Sequence, residues 1–207
     1  MYVIRKTNQL EQMELGRVAC YPWGGEYRPE MLFRIGHTDE ALLVNLLCYE
    51  AEPVVTARHR NGPVWDDSCM EFFVSPSADL SAGYFNFEIN AQPTLLLHYG
   101  KDGAAAHRSP VDPEAWPTEC FALQCVRGQD DFGRRYWRLS YRIPYALFRA
   151  LCPMADLQNG TTIRANLYRC GSNGQPAHYG CWSPIDSTVY PKPNFHVPEY
   201  FGYMQLE

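Results

Sequence analysis

The sequence predicts an all-β fold: a two-sheet antiparallel β-sandwich of jelly-roll-like type with one short helix. Three observations predict it. Short runs of β-branched, aromatic and leucine residues recur along the 207 residues, each bounded by Gly, Pro, Asn or Asp, the pattern of successive short strands. Several runs alternate apolar and polar residues, the period of a strand with one face in a core. Helix signals are confined to one segment.

The predicted strands, in order, are residues 31–35, 42–49, 69–75, 84–90, 94–99, 120–126, 135–143, 163–170, 177–182 and 200–206. Turn chemistry separates them at Asn61-Gly62-Pro63, Lys101-Asp102-Gly103, the run from Gln129 to Gly133, Asn159-Gly160 and Ser172-Asn173-Gly174, because Gly and Asn accept left-handed backbone and Pro presets a turn. Residues 144–151 read as the helix, with Pro144 at a tolerated first position and Pro153 beyond its end. Residues 100–117 and 186–198 are rich in Pro and small or polar residues and read as linkers on the surface.

Composition agrees with a packed chain. Phe, Tyr and Trp make up 29 of the residues and charged residues only 20%, which excludes disorder and low complexity. We expect one domain over 1–207. A net charge of −5 without a Lys/Arg cluster argues against nucleic acid and against an anionic membrane surface. No apolar run approaches the ~18 residues of a membrane span. The start shows no secretory signal, which predicts a cytoplasmic protein, or an extracellular one if a signal has been removed. The eight cysteines, at 20, 48, 69, 120, 125, 152, 170 and 181, include no Cys-x-x-Cys pair, so the sequence predicts reduced thiols and no structural zinc.

Candidate chemistry lies in the alternation. In 84–90 one face carries Phe85, Phe87 and Ile89, and the other Tyr84, Asn86, Glu88 and Asn90. In 163–170 Ile163, Ala165 and Leu167 oppose Arg164, Asn166 and Tyr168; in 69–75 Glu71 and Phe73 oppose Met70, Phe72 and Val74. A solvated outer face would show this alternation too. These polar faces, however, lack Lys and combine amides, a guanidinium and carboxylates with aromatic rings, the set that holds vicinal sugar hydroxyls. Trp65 follows the Asn61-Gly62-Pro63 turn and Trp182 ends its predicted strand directly before Ser183-Pro184, so neither is mid-strand and both suit stacking on a pyranose ring, whereas Trp137 alternates with Leu139 and Tyr141 and reads as core. Trp23 and Trp116, beside prolines, read equally as caps or as surface residues.

The string Val64-Trp65-Asp66-Asp67-Ser68-Cys69-Met70-Glu71-Phe72-Phe73, followed by Tyr84-Phe85-Asn86-Phe87-Glu88-Ile89-Asn90, resembles the family 9 carbohydrate-binding modules of the DOMON-like superfamily. Arg164-Ala165-Asn166-Leu167-Tyr168-Arg169, Cys181-Trp182-Ser183-Pro184 and the run from Phe195 to Gly202 continue the resemblance in order, from about Leu32 to the end. It implies a non-catalytic lectin-like sandwich whose partner is a mono- or oligosaccharide. Trp65 and Trp182 would be the stacking pair, Glu71 would accept sugar hydroxyls, and Asn86, Glu88, Asn90, Arg164 and Asn166 would form the floor. It also implies structural calcium; Asp66, Asp67 and Asp79 offer oxygen ligands but lack the spacing of an established calcium loop and read as turn residues.

Two rival readings remain. Glu71 and Glu88, with Asp67, could serve as the carboxylates of a glycoside hydrolase. Met70 with His178 or His196 could ligate a b-type haem, as in DOMON-like cytochrome domains. A Cys181 nucleophile with His178 or His196 carries no supporting motif.

Overall fold

The computed structural model describes residues 1–100, 108–173 and 176–207; the predicted turn at 101–103 and Gly174 lie outside them. Among the described residues the strands are β1 (Tyr2–Ile4), β2 (Gly16–Val18), β3 (Met31–His37), β4 (Ala41–Cys48), β5 (Cys69–Ser75), β6 (Tyr84–Asn90), β7 (Leu95–Gly100), β8 (Arg108–Pro110), β9 (Gln124–Gln129), β10 (Arg135–Pro144), β11 (Thr162–Gly171), β12 (His178–Cys181) and β13 (Gly202–Leu206), with one α-helix, α1 (Tyr145–Leu151). One sheet runs β1-β13-β11-β5-β6-β7-β8, with β12 also paired to β11; the other runs β2-β3-β4-β10-β9. This is a β-sandwich. Its pairings are antiparallel except for the parallel edge pair β1–β13. Among the described residues no helix is long and apolar enough to cross a membrane.

The core between the sheets is the apolar half of the predicted alternation. Met70, Phe72 and Val74, Phe85, Phe87 and Ile89, and Ile163, Ala165 and Leu167 meet Phe33, Val44, Leu46, Trp137, Leu139 and Ile143 of the second sheet, all essentially inaccessible. Each such large side chain contributes about 1.5–3 kcal/mol by leaving water. Trp137 is core, as its alternation predicts, and its indole N–H donates to Glu50 at 2.9 Å. Glu50 also pairs with Arg169 at 2.9 Å, both side chains at most 1% exposed, and accepts from Ser68. The carboxylate is thus paired and hydrogen-bonded, which is what makes a buried charge tolerable.

The boundaries differ from expectation in a few places. Residues 118–121 form a 3-10 turn, Ala122 takes left-handed backbone at φ 46°, and the strand starts only at Gln124. β1, β2 and β8 are three residues each, too short to show a period. Pro144 caps α1 from outside with extended backbone rather than opening it.

The outer face of the larger sheet is the larger departure. The polar face, read from the sequence as either solvated or ligand-holding, is covered: every residue of β5 and β6 is buried, whichever face it points to. Segment 186–198, which reads as a surface linker, instead places Phe195 and Val197 in a second apolar cluster with Phe73, Tyr84, Tyr168, Cys170, Ile185 and Phe201 on this face.

Candidate functional site

Register builds the site. Glu71 of β5 stands directly opposite Glu88 of β6, Glu88 opposite Leu96 of β7, and Asn86 opposite His98. On the other side of β5, Cys69 pairs with Cys170 of β11, and Cys170 with Tyr179 of β12. Directly opposed residues share a face, so Glu71, Glu88, Leu96, His98, Cys170 and Tyr179 converge on one side of the sheet. There they line a cavity of about 340 Å³, near the lower end of the ~300–1,000 Å³ usual for small-ligand sites.

Two loops and β8 wall the cavity. Trp65 and Asp66 come from the 3-10 turn Val64–Asp66, Arg108 from β8, and Asn194, Phe195 and His196 from the 186–198 segment. Trp65 is 46% exposed, an indole held at the rim. The segment is pinned by aromatic contacts: Phe195 stacks on Tyr168 at 4.0 Å and 9°, and His196 on Phe73 at 4.9 Å and 26°. Tyr168 donates to the Phe195 carbonyl at 3.0 Å, and the Tyr84 hydroxyl and His196 Nδ1 are 2.9 Å apart. Trp23 packs on Phe195 from behind and donates to the Tyr190 carbonyl at 2.7 Å, so it acts as a buttress.

Burial sets the charge state of the floor. It pushes Glu71 well above the ordinary carboxylate range, with neighbouring Cys170 and Glu88 adding to the effect and Arg108 opposing it. Glu88 is pushed up to about 7, again by burial, against the pull of Asn86 and Arg108. His98 is pushed down to about 4 and His196 to about 3, first by burial and then by Arg108. Near neutral pH both rings are therefore neutral and Glu88 titrates, while the environment of Glu71 favours its protonated form more than water would. Asn86 donates to Glu88 at 2.7 Å, while its own Oδ1 is buried without a hydrogen-bond partner among the described residues. The floor thus offers donors and acceptors to whatever enters.

The family model for carbohydrate-binding family 9 matches residues 4–206. The chain belongs to this family. Among solved structures, a protein of Bacteroides uniformis to which carbohydrate binding is ascribed is 27% identical, with a TM-score of 0.79 over 100% of this chain and 98% of that one. A family 9 module from Caldicellulosiruptor kristjanssonii, solved with cellotriose and with glucose, superposes with a TM-score of 0.61 at 12% identity, over 100% and 99% of this chain and 93% and 94% of those. At that identity the likeness shows the fold alone. No curated protein sequence matches the chain.

In this family 9 chain the predicted site residues separate into two groups. Trp65, Glu71 and Glu88 line the cavity, with Asn86 beside Glu88. The others hold loops. Asn90 donates to the Ala57 carbonyl and to Asp67, and accepts from the Gln92 and Thr94 amides. Asn166 accepts from the Ser183 amide at 2.8 Å and donates to the Ser183 carbonyl at 2.9 Å. Arg164 donates to the carbonyls of Phe201 and Glu199 and lies 4.3 Å from the Tyr203 ring centre.

Trp182 does not join Trp65. Its ring packs edge-on against Phe33 at 5.7 Å and Tyr2 at 6.4 Å, at the margin of the inter-sheet core. The other aromatic rings of Phe, Tyr or Trp lining the cavity are Tyr179 and Phe195 instead. The sequence signals that could have found the missed residues were the alternation of Leu96 and His98 in 94–99 and the apolar Phe195 and Val197 inside a Pro-rich segment.

Geometry also bears on the rival readings. Met70 is in the inter-sheet core while His196 stacks on Phe73 across the sheet, so the two cannot face one haem. His178 packs edge-on against Tyr27 at 4.9 Å, and its Nδ1 lies 2.9 Å from the Pro176 carbonyl oxygen. His178 and Cys181 are three residues apart on β12 and so point to opposite faces. The calcium that the resemblance implies does not fit: Asp67 accepts from the amides of Thr56 and Ala57, the Thr56 hydroxyl and Asn90, Asp79 caps the turn at Ser81, and Asp66 accepts from Ser172. The one cluster of three or more potential metal ligands among the described residues is Cys69, Glu71 and Cys170.

Proposed function

We propose that this protein binds a mono- or oligosaccharide without catalysis, in the cavity on the outer face of the larger sheet. One observation carries the reading: in a family 9 chain, a half-exposed Trp65 stands at the rim of a cavity whose floor presents two buried carboxyl groups. The indole offers a face for the C–H side of a pyranose. Below it, Glu88 and Glu71 accept hydrogen bonds from sugar hydroxyls, and Asn86 Oδ1 accepts a further one. Tyr179, Phe195 and neutral His196 supply the apolar and ring-edge contacts. The complexes of the Caldicellulosiruptor module with glucose and cellotriose make those two sugars the first probes.

Binding suits this floor better than hydrolysis. Glycosidase carboxyls flank the scissile bond and work as an acid with a base or nucleophile. Glu71 and Glu88 are side-by-side cross-strand neighbours on one floor, and Asn86 ties Glu88. The test is a fluorescence titration with glucose and cellotriose of wild type, Trp65→Ala and Trp182→Ala. The expected result is a saturable change in wild type, about a tenfold loss of affinity for Trp65→Ala from one lost stacking contact, and retained affinity for folded Trp182→Ala. No sugar response in wild type, with product analysis showing cleavage, would replace binding by hydrolysis; wild-type affinity in Trp65→Ala would move the site elsewhere.

A further inference from the structure

The floor holds two thiols that the proposed sugar contacts do not use. Cys69 and Cys170, 101 positions apart in sequence, are directly opposed across β5 and β11, and Glu71 follows Cys69 by two residues on the same face. One ligand atom from each, two thiol sulfurs and a carboxyl oxygen, lie within 4.8 Å of one another, and all three residues are buried. The Cys170 thiol donates to Glu71 Oε1 at 2.8 Å. Glu71 and Cys170 line the cavity, so the cluster is reachable from solvent.

The geometry points to a three-ligand site for a thiophilic divalent cation of the zinc type, formed by Cys69, Glu71 and Cys170 and open to the cavity. Zn–S near 2.3 Å and Zn–O near 2.0–2.2 Å place tetrahedral ligand atoms roughly 3.5–4 Å apart, a separation these three groups reach by small side-chain adjustments. Two thiolates exclude calcium and magnesium, which take oxygen ligands, and favour zinc or a softer ion. Three protein ligands leave a fourth position for water or an entering ligand oxygen.

The test uses the full chain, freed of metal by chelation, kept reduced with a phosphine and titrated with Co²⁺. The expected result is a thiolate-to-cobalt charge-transfer band in the near ultraviolet that saturates at one equivalent and is displaced by Zn²⁺. Cys69→Ser and Cys170→Ser each abolish the band, Glu71→Gln weakens binding at least about tenfold, and Cys120→Ser, in a turn outside the cluster, leaves it intact. X-ray absorption of the zinc-loaded wild type reads the site without any substitution, with two sulfur scatterers near ~2.3 Å expected. No band in reduced wild type, a band that survives both cysteine substitutions, or a zinc shell without sulfur overturns the site. The cluster shares Glu71 with the proposed sugar site, and variants outside the overlap tell the two readings apart: Trp65→Ala loses sugar affinity but keeps the band, and Cys69→Ser does the reverse.

Discussion

The central strands β5, β6 and β11 bury both faces, but by opposite means. Inward, Met70, Phe72, Phe85, Phe87 and Leu167 pack apolar side chains against the second sheet. Outward, Phe73, Tyr84 and Tyr168 stack under the 186–198 segment, and among them sit Glu71, Asn86, Glu88, Asn90, Arg164, Asn166 and Cys170, nearly all inaccessible. Burial alone therefore does not tell core from site. The difference lies in where the polar groups spend their hydrogen bonds. Asn90, Asn166 and Arg164 give theirs to loop backbone, whereas Glu71 and Glu88 face the cavity and Asn86 keeps an unpartnered oxygen. An unpartnered buried polar group costs about 1–3 kcal/mol, a cost that an entering ligand can offset.

The sharpest break between the faces is stability without function. Phe72→Ala should lower unfolding free energy by about 3–5 kcal/mol through the cavity it leaves in the inner core, measured by denaturant unfolding; a loss under ~1 kcal/mol would mean that the inner face is not the main core. Next comes the titration of the floor. The Glu88 carboxyl is raised to about 7 in the folded protein, so its contribution is fully present below its unfolded value and is lost as pH rises toward 7. Glu88→Gln removes that loss: from pH 5 to pH 8 the variant should gain about 2.5 kcal/mol on wild type. His98 and His196, held down to about 4 and 3, contribute the opposite slope, stability that rises with pH up to the unfolded value near 6.5. The difference between wild type and variant cancels them, and parallel curves would show that Glu88 is not buried as described.

Smaller effects separate loop-holding from ligand-facing residues on the outer face. Asn166→Ala breaks the ties to Ser183 and should cost about 1–3 kcal/mol, with folded protein still binding sugar; lost binding at full stability would put Asn166 in the site. Trp65→Ala, at a half-exposed rim, should change stability by less than ~1 kcal/mol while weakening sugar binding. A large stability loss would make Trp65 a packing residue like Trp182.

Much of this was legible in the chain. The 69–75 and 84–90 strands match β5 and β6 residue for residue, since period-two alternation is a local consequence of extended backbone. The same alternation put Glu71, Glu88 and Asn86 on one face with Asn90, Arg164 and Asn166, but it could not rank them. Trp65 and Trp182, both outside strand interiors and each followed by a polar residue, are indistinguishable as sequence.

What the sequence by itself determined is the set of strands, their apolar faces and the family-specific string around Trp65 and Glu71, because each depends on residues close in the chain. The tertiary structure alone decided which polar residues line the cavity. That choice follows from strand order, which sets Cys170 beside Cys69 and Glu88 beside Glu71, and from the 186–198 segment folding back over the sheet. Both are contacts between distant parts of the chain, selected by packing and by partnering of buried polar groups, which no local pattern encodes.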